Sequence, residues 1–476
     1  MSGFSEKFEQ RLFLAFLLLL VWLPLPLGSN RPWAEAIFIV WTSLLALAYL
    51  AGLHRGAMQP GAAFDGARPA LWLLAAWLVW LSLQWLPMPA GLRPPSHGLS
   101  AEAAWAPLSL DPFATFRYWL KSLSYVALFA LTLLLVNSKF RLAILGYTLI
   151  FSGLFQAFYG GVMALSGLEY GFFVKKTAYL ANATGTFVNR NHLAGYLEMV
   201  LAVGIGLLLA TQYQKERALS WRQHLRNLLS LMFSHKLPLR LALAIMVIAL
   251  VLTRSRMGNT AFFASMLTAG LAALSIYRRQ AGSVSGMLRR DDMRSAVILI
   301  ASLVVIDLFI VGAWFGVEQV AERIANSSLS QDADRIDVSR GTLGLIADHP
   351  LAGTGGGSFH LAYMPYRTKE IVSYYDHAHQ DYLEIAADTG LVGAGLLGLV
   401  VLTSLLAALK AFARRRDALM RGMAFASIMG TVALLIHATV DFNFQIPANA
   451  ATFMTILAMG WIALHLDRQE RGAHGR

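Results

Sequence analysis

The sequence predicts an all-α polytopic membrane protein with about twelve transmembrane helices and a partly helical loop between spans nine and ten. Two observations support this prediction. Of the 476 residues, 57% are hydrophobic and 14% are charged, whereas soluble domains average nearer half apolar and a quarter charged. Apolar runs of about 20 residues, the length that crosses a hydrocarbon core, also recur throughout the chain. A single polytopic domain over residues 1–476 accounts for this pattern.

The hydrophobic runs place the spans one by one. The first run follows "MSGFSEKFEQR", and we interpret it as a span rather than a signal peptide because no small-residue cleavage site follows it cleanly. The predicted spans are 12–28, 33–53, 70–87, 118–136, 142–166, 192–211, 239–253, 259–277, 295–314, 387–409, 422–440 and 449–466.

The basic residues give an orientation. The formal net charge is +12, and in so apolar a chain we attribute it to cytoplasmic loops rather than to a nucleic-acid site. An even number of spans puts both termini on one side. If that side is the cytoplasm, the larger share of the 39 Lys and Arg residues is cytoplasmic. We therefore expect both termini in the cytoplasm.

Segments between the spans differ in character. The cytoplasmic insert "QYQKERALSWRQHLRNLLSLMFSHKLPLR" mixes apolar and basic residues, which indicates an amphipathic helix on the inner leaflet. A solvated linker is the alternative. On the outer side, three longer segments lie at about 88–117, 167–191 and 315–386. Loops of such length are typically functional or disordered, and we interpret 315–386 as a small ordered cap.

The first polar cluster opens the sixth span, in "ATGTFVNRNHLAGYLEM". Asn189 can cap the helix through its side-chain oxygen, and Arg190 and Asn191 beside a helix N-terminus favour anion binding. The alternative for Arg190 is an interfacial anchor. Glu198, two turns inside the span, favours a functional site, because intramembrane carboxylates normally line a cavity or pair with a cation.

The second cluster is the short outer turn in "LTRSRMGNTAFF", which holds Arg254 and Arg256 near the membrane surface. A guanidinium fork suits phosphate oxygens, and lipid headgroups are the alternative ligand. The third cluster, "DADRIDVSRGTLGLIADHPLAGTGGGSF", offers Arg335 and Arg340 as anion partners or plain surface charges. Its glycines lack the Gly-Lys-Ser/Thr of a nucleotide loop, so we interpret them as a flexible turn that shapes a cavity.

The fourth cluster is "SYYDHAHQDYLEIAADTGLVGAG". His377 and His379 lie between Asp376 and Asp381, but this spacing fits no zinc motif. A neutral imidazole is a natural general base near pH 7, or it can donate to a phosphate. A solvated loop histidine is the simpler interpretation of either residue alone.

Together, the clusters put arginines, histidines and a membrane carboxylate on one face. This set suits displacement of a diphosphate leaving group from a membrane-embedded donor. Arginines neutralise the charge that develops on the diphosphate, and a histidine accepts the proton of an incoming hydroxyl.

From about residue 110 to 466 the sequence resembles the O-antigen ligase and polymerase superfamily of bacterial envelope glycosyltransferases. The resemblance rests on the order and spacing of "GTFVNRNHLAGYLEM", "TRSRMG", "RIDVSRGTLGLIADHPLAGTGGGSF", "HAHQDYLEIAADTGLVG" and "HATVDFNFQIPANA". It implies a metal-independent GT-C type enzyme without a cofactor. Such an enzyme moves a glycan on the periplasmic face from undecaprenyl diphosphate to an acceptor hydroxyl, in the ligase type that of lipid A-core.

The resemblance also implies roles for single residues. "HQDYL" matches the family's histidine pattern, so His379 takes that role and His377 does not, although Gln380 replaces the commoner Asn. Arg190 and Arg256 match the family's arginines best, followed by Arg335. The predicted catalytic residues are therefore His379, Arg256 and Arg190, and the predicted substrate-binding residues are Arg335, Asn191, Arg254 and Glu198.

Several alternatives stay open. An O-antigen or exopolysaccharide polymerase and a protein O-oligosaccharyltransferase use the same donor and similar motifs. A polyprenyl-glycan transporter would also have many spans, and it would use Glu198, Asp307 and His437. Transporters bind substrate near the midplane, however, whereas the polar residues here cluster at one surface.

Overall fold

The fold is a bundle of long apolar helices. A computed structural model describes residues 2–89, 91, 104–212, 237–281, 329–368 and 374–466. The helices in these ranges are α1 Ser2–Trp22, α2 Pro32–His54, α3 Ala62–Gly66, α4 Arg68–Trp85, α5 Pro112–Leu135, α6 Lys139–Ser166, α7 Arg190–Gln212, α8 Leu237–Leu252, α9 Arg256–Ala281, α10 Leu329–Asp348, α11 Phe359–Ala362, α12 Asp381–Arg414, α13 Ala418–His437 and α14 Pro447–His465.

The remaining regular structure is short. Three 3₁₀ turns lie at Leu27–Ser29, Met364–Tyr366 and Asn443–Gln445. Strand β1 (Met88–Pro89) pairs antiparallel with β2 (Trp105–Ala106), and β3 (Tyr170–Gly171) pairs antiparallel with β4 (Val174–Lys175). The predicted all-α class is therefore confirmed for the part of the chain that is described.

Eight described helices are long and apolar enough to cross a membrane: α2, α5, α6, α7, α9, α12, α13 and α14. Each predicted span except 295–314 coincides with a helix, but α1 and α4 do not belong to this set and α8 has only 16 residues. The predicted count of twelve is thus not confirmed. The 295–314 span and the proposed amphipathic insert lie largely or wholly outside the described residues.

The centre of the bundle is formed by α7, α13 and α14, whose apolar segments are mostly buried. Glycines let α7 and α13 approach closely: a Cβ on Gly206 would lie 2.3 Å from the carbonyl oxygen of Gly422, and a Cβ on Gly422 would lie 2.2 Å from that of Gly206. Small residues at such contacts are typical of membrane helices, where backbone-to-backbone packing replaces the hydrophobic driving force.

Helix α12 is broken near its start. Gly390 has φ 67° and ψ 176°, outside helical geometry. A Cβ there would meet the Leu351 carbonyl oxygen at 2.0 Å, so the position requires glycine for both space and conformation. The break separates a short first segment, residues 381–389, whose carboxylates are buried, from the long apolar remainder. This first segment lies at the end of the bundle where α7 and α9 begin, which we call the site end.

Candidate active site

The start of α7 presents Arg190 at the site end. The side-chain oxygen of Asn189 accepts a hydrogen bond from the Asn191 backbone N–H at 2.9 Å, so the predicted helix cap is confirmed. Arg190 donates to the Asn182 side-chain oxygen at 3.2 Å, and its guanidinium lies 5.9 Å from the centre of the Tyr179 ring. The Arg190 Nε is buried and bonds to no described group, so it can donate to a bound anion.

The next two arginines lie in the three-residue turn between α8 and α9 and at the start of α9. The hydroxyl of Ser255 accepts from the Gly258 backbone N–H at 3.1 Å and caps α9, and Arg254 adopts a left-handed conformation with φ 53°. Arg256 is the first residue of α9. The charges of Arg254 and Arg256, and that of Arg335 from α10, all act on Arg190. Four arginines from three helices and a turn therefore form one positive cluster, the arginine cluster.

His379 lies next to this cluster, just before α12. Its backbone is left-handed, with φ 52°, a conformation that is uncommon for a residue with a side chain. Its Nδ1 is buried and makes no hydrogen bond to the described residues. A strained histidine with an unused ring nitrogen is typical of a functional position rather than of a folding requirement.

Glu384, in the first segment of α12, fixes the loop that carries His379. Its Oε1 lies 2.7 Å from Nδ1 of His377, and its Oε2 accepts from the Ala378 backbone N–H at 2.8 Å. Glu384 is almost completely buried. One carboxylate therefore binds the two residues that precede His379, and the helix start sets the position of the loop.

Phe442 is the common packing partner of three histidines. Its ring centre lies 4.7 Å from that of His192, 4.4 Å from that of His377 and 4.8 Å from that of His379. Tyr375 packs on the remaining edge of His379, with ring centres 5.7 Å apart. Two aromatic rings therefore pack against His379.

Asp441 supplies the negative charge on this side. Its Oδ2 accepts from the Asn191 side chain at 2.5 Å, and its Oδ1 accepts from the Phe442 backbone N–H at 2.9 Å and lies 3.7 Å from Nε2 of His192. Burial disfavours the charged carboxylate, but the neighbouring His192 and His437 outweigh it and hold the pKa of Asp441 well below its usual range. Asp441 is therefore anionic at neutral pH.

The pKa values of the two loop histidines are shifted in opposite directions. Burial, together with the positive charge of Arg335, lowers the pKa of His379 to about 4, against opposing effects of Asp441 and Glu384. Burial also disfavours charge on His377, but Glu384 outweighs it and raises the pKa of His377 above its ordinary value. At neutral pH, His379 is neutral and free to accept a proton or a hydrogen bond.

Glu198 lies beneath the site rather than in it. Its Oε1 is 2.7 Å from Nδ1 of His437 in α13, and both side chains are completely buried. This pairing of a buried carboxylate with a histidine is close to one of the two arrangements expected for an intramembrane carboxylate, pairing with a cation. That Glu198 contacts substrate stays a prediction. Asp307, the third residue of the transporter interpretation, lies outside the described residues.

The glycine-rich turn has a structural role. The backbone N–H groups of Gly353, Gly355, Gly356 and Gly357 donate to the His349 and Asp388 carbonyl oxygens, Gln84 Oε1 and Asp388 Oδ2, respectively. No amide of these four is left to bind a phosphate. The turn packs α4 and α5 against α12, which corrects our expectation of a flexible turn that shapes a cavity.

Arg340 and Arg335, both on α10, have different surroundings. Arg340 is an exposed surface charge that pairs with Asp337 at 3.3 Å, while Arg335 belongs to the arginine cluster. His377, to which the resemblance gives no role, is bonded to Glu384. In the described part of the chain no three His, Asp or Glu side chains converge as metal ligands, and we assign none.

Sequence reasoning missed Asp441, Phe442 and Glu384. Two of them lie in "HATVDFNFQIPANA", a motif that carried part of the family resemblance but to which we gave no role. Glu384 lies five residues after His379 in "HQDYLEIAAD". A carboxylate at that place in an otherwise apolar helix is a signal that could have found it.

Comparison with known proteins agrees with the motifs. A family model described as O-antigen ligase matches residues 241–398, a region that contains Arg254, Arg256, Arg335 and His379. No curated protein matches the chain. The match supports the resemblance: residues 241–398, about a third of the chain, are similar to the O-antigen ligase family.

Proposed function

We propose that the protein transfers a glycan from undecaprenyl diphosphate to an acceptor hydroxyl, as an O-antigen ligase with lipid A-core as acceptor. The observation that carries this proposal is the neutral, unpartnered Nδ1 of His379 beside the arginine cluster. The site combines a proton acceptor with several guanidinium groups. Displacement of a diphosphate by a hydroxyl needs both.

The chemistry balances without a cofactor. The acceptor oxygen bonds to the anomeric carbon of the glycan, and the bond from that carbon to the diphosphate oxygen breaks. The electron pair leaves with the diphosphate, whose added charge is neutralised by Arg190, Arg254, Arg256 and Arg335. The acceptor proton goes to His379, or, if His379 holds the diphosphate instead, to a diphosphate oxygen.

Donor binding would prepare His379 for this role. The positive charge of Arg335 contributes to the low pKa of the imidazole, and a bound diphosphate would offset that charge. The pKa of His379 would then rise toward the working pH, where a general base is most effective. Asp441, Glu384 and Phe442 would hold the ring in place during the transfer.

We also propose the cellular setting. Two termini in the cytoplasm and a site end in the periplasm of the bacterial inner membrane agree with the basic segments. Undecaprenyl-linked glycans would reach the arginine cluster from the bilayer, since Arg190 and Arg256 begin two helices that are long and apolar enough to span it. We expect no metal ion and no cofactor to be required.

The test uses purified protein, an undecaprenyl-diphosphate glycan and lipid A-core in the presence of EDTA, with product size followed on a gel. A single transfer to lipid A-core supports the ligase and its metal independence. A ladder on the polyprenyl carrier without lipid A-core would make the protein an O-antigen or exopolysaccharide polymerase. Transfer to a protein acceptor alone would make it a protein O-oligosaccharyltransferase.

A transporter is the candidate from a different class, and the buried Glu198–His437 pair is the observation that favours it. Paired ionisable residues inside the membrane commonly serve ion or proton pathways. If Glu198→Gln abolished function while His379→Ala did not, the transporter would be the better interpretation.

A further inference from the structure

The loop from α6 to α7 contains a compact hairpin whose tip is apolar. We define the 168–182 hairpin as the segment that pairs β3 with β4 and leads into Asn182. Phe173, at its tip, is 85% exposed, and Leu168, Val174 and Leu180 are also exposed. Single exposed apolar residues need no explanation, but a group on one small hairpin does.

The hairpin folds back along the side of α6. The Tyr159 hydroxyl donates to the Phe172 carbonyl oxygen at 2.9 Å, and Tyr159 lies seven residues before the end of α6 at Ser166. With a rise of 1.5 Å per residue, the bond lies roughly 10 Å back from that end. The hairpin tip therefore lies beside the last two turns of an apolar helix instead of projecting beyond it.

The exposed face of α6 is apolar over the same depth. It is formed by residues spaced three and four apart, as on one face of a helix: Phe151, Phe155, Phe158, Val162 and Leu165. In a helix long and apolar enough to span a membrane, such a face contacts acyl chains. Phe173 and Val174 add two exposed apolar side chains on the hairpin, which is bonded to α6 through Tyr159.

Two charged groups of the hairpin, Glu169 and Lys176, pair with each other, whereas Lys175 in β4 is exposed and can extend toward the headgroups. The Lys176 ammonium is almost buried, pairs with Glu169 at 2.5 Å and donates to the Asn182 carbonyl oxygen at 2.9 Å. Glu169 also accepts from the Ala181 backbone N–H. Because lipid-exposed non-helical backbone is not tolerated in the hydrocarbon core, only the apolar side chains of the hairpin can reach the acyl chains while its backbone stays among the headgroups.

We propose that the apolar side chains at the tip of the 168–182 hairpin insert among the acyl chains of the leaflet at the site end and anchor Arg190 to the membrane. Asn182 makes the connection, because its carbonyl oxygen accepts from Lys176 and its side chain accepts from Arg190. The arginine cluster is thereby held at the depth where a lipid-linked phosphate lies. Insertion itself does not depend on glycan transfer.

The chain has no cysteine, so one engineered cysteine can report the depth of the tip. Phe173→Cys carries a nitroxide label in lipid nanodiscs, and its collision rates with oxygen and with a water-soluble nickel complex are measured. Phe155→Cys on the α6 face is the lipid control. Arg340→Cys is the aqueous control, because the Arg340 side chain is 76% exposed.

We expect the ratio of oxygen to nickel collisions for the labelled Phe173→Cys variant to match the lipid control and to exceed the aqueous control severalfold. A label on Val174→Cys repeats the measurement one residue along, so failure of one variant to fold does not decide the outcome. Collision rates like those of the aqueous control at both positions would overturn the proposal and leave the tip for a water-soluble partner. Neither result bears on glycan transfer, which has its own assay.

Discussion

Oε1 of Glu384 lies 2.7 Å from Nδ1 of His377, while Oε2 of the same carboxylate accepts from the next backbone N–H, that of Ala378. The two bonds hold the loop in which His379 adopts its left-handed conformation. A helix residue thus decides where the proposed catalytic imidazole points.

Glu384→Gln should lower kcat about tenfold with little change in KM. The amide keeps the shape but loses the charge, and hydrogen bonds to charged groups contribute about 1.5–3 kcal/mol. Steady-state kinetics of glycan transfer measure this split. A fall in the amount of folded protein with normal kcat per folded molecule would instead make Glu384 purely structural.

His379→Ala should reduce transfer about 10²- to 10⁴-fold, the usual contribution of a general acid or base. His377→Ala should cause a smaller loss, because it removes only the bond to Glu384 and the packing on Phe442. His360→Ala, which changes a histidine of α11 outside the site, is the matched control. Equal activity in all three variants would remove His379 from the mechanism.

Arg335→Gln should shift the acid limb of the kcat/KM profile to higher pH. His379 is active when neutral, and in the free protein its pKa is lowered to about 4, so the wild-type limb lies far below pH 6.5. Removing the positive charge favours the imidazolium and raises that pKa. Profiles between about pH 3.5 and 8 measure the shift, and Arg340→Gln, on the same helix, should leave the limb in place.

Arg256→Lys should lower kcat/KM at least about tenfold, which corresponds to about 1.4 kcal/mol of transition-state binding. Lys keeps the charge but cannot reproduce the guanidinium fork that binds two phosphate oxygens. Arg279→Lys, in the last turn of the same helix, is the matched control. Full activity of Arg256→Lys would assign Arg256 to membrane anchoring.

Gly422→Ala should lower the free energy of unfolding of the protein in detergent by about 1–3 kcal/mol, the usual cost of overpacking. Its Cβ would lie 2.2 Å from the Gly206 carbonyl oxygen, so α7 and α13 would have to separate. Gly395→Ala in α12, where nothing lies within 4 Å, should have little effect. A thermal melt of both variants tests the contact, and equal midpoints would show that the helices can adjust.

The hydrophobic pattern alone located the helices well, because a span needs only length and apolar composition. Predicted bounds differ most for α1, which begins at Ser2 rather than at residue 12. There the helix continues beyond the apolar run, and Glu9 pairs with Arg141 of α6. For α12, the pattern could not show the break at Gly390, which depends on the close approach of the Leu351 carbonyl.

The candidate site was only partly readable from the sequence. Motifs indicated Arg190, Arg254, Arg256, Arg335 and His379, because arginine side chains commonly bind anions and histidine side chains commonly transfer protons. They did not indicate Glu384 or Phe442, whose roles depend on which side chains fold against them.

The sequence by itself determined the membrane class, the positions of most of the long helices, the charged groups at one end and the resemblance to a known family. Only the tertiary structure decided that Glu384 and Phe442 support His379, that Glu198 pairs with His437, and that the glycine turn is packed. Hydrophobicity and residue chemistry are local properties that each residue carries with it. Hydrogen-bond partners and backbone clearances exist only between segments far apart in the chain, so they are fixed when the helices pack.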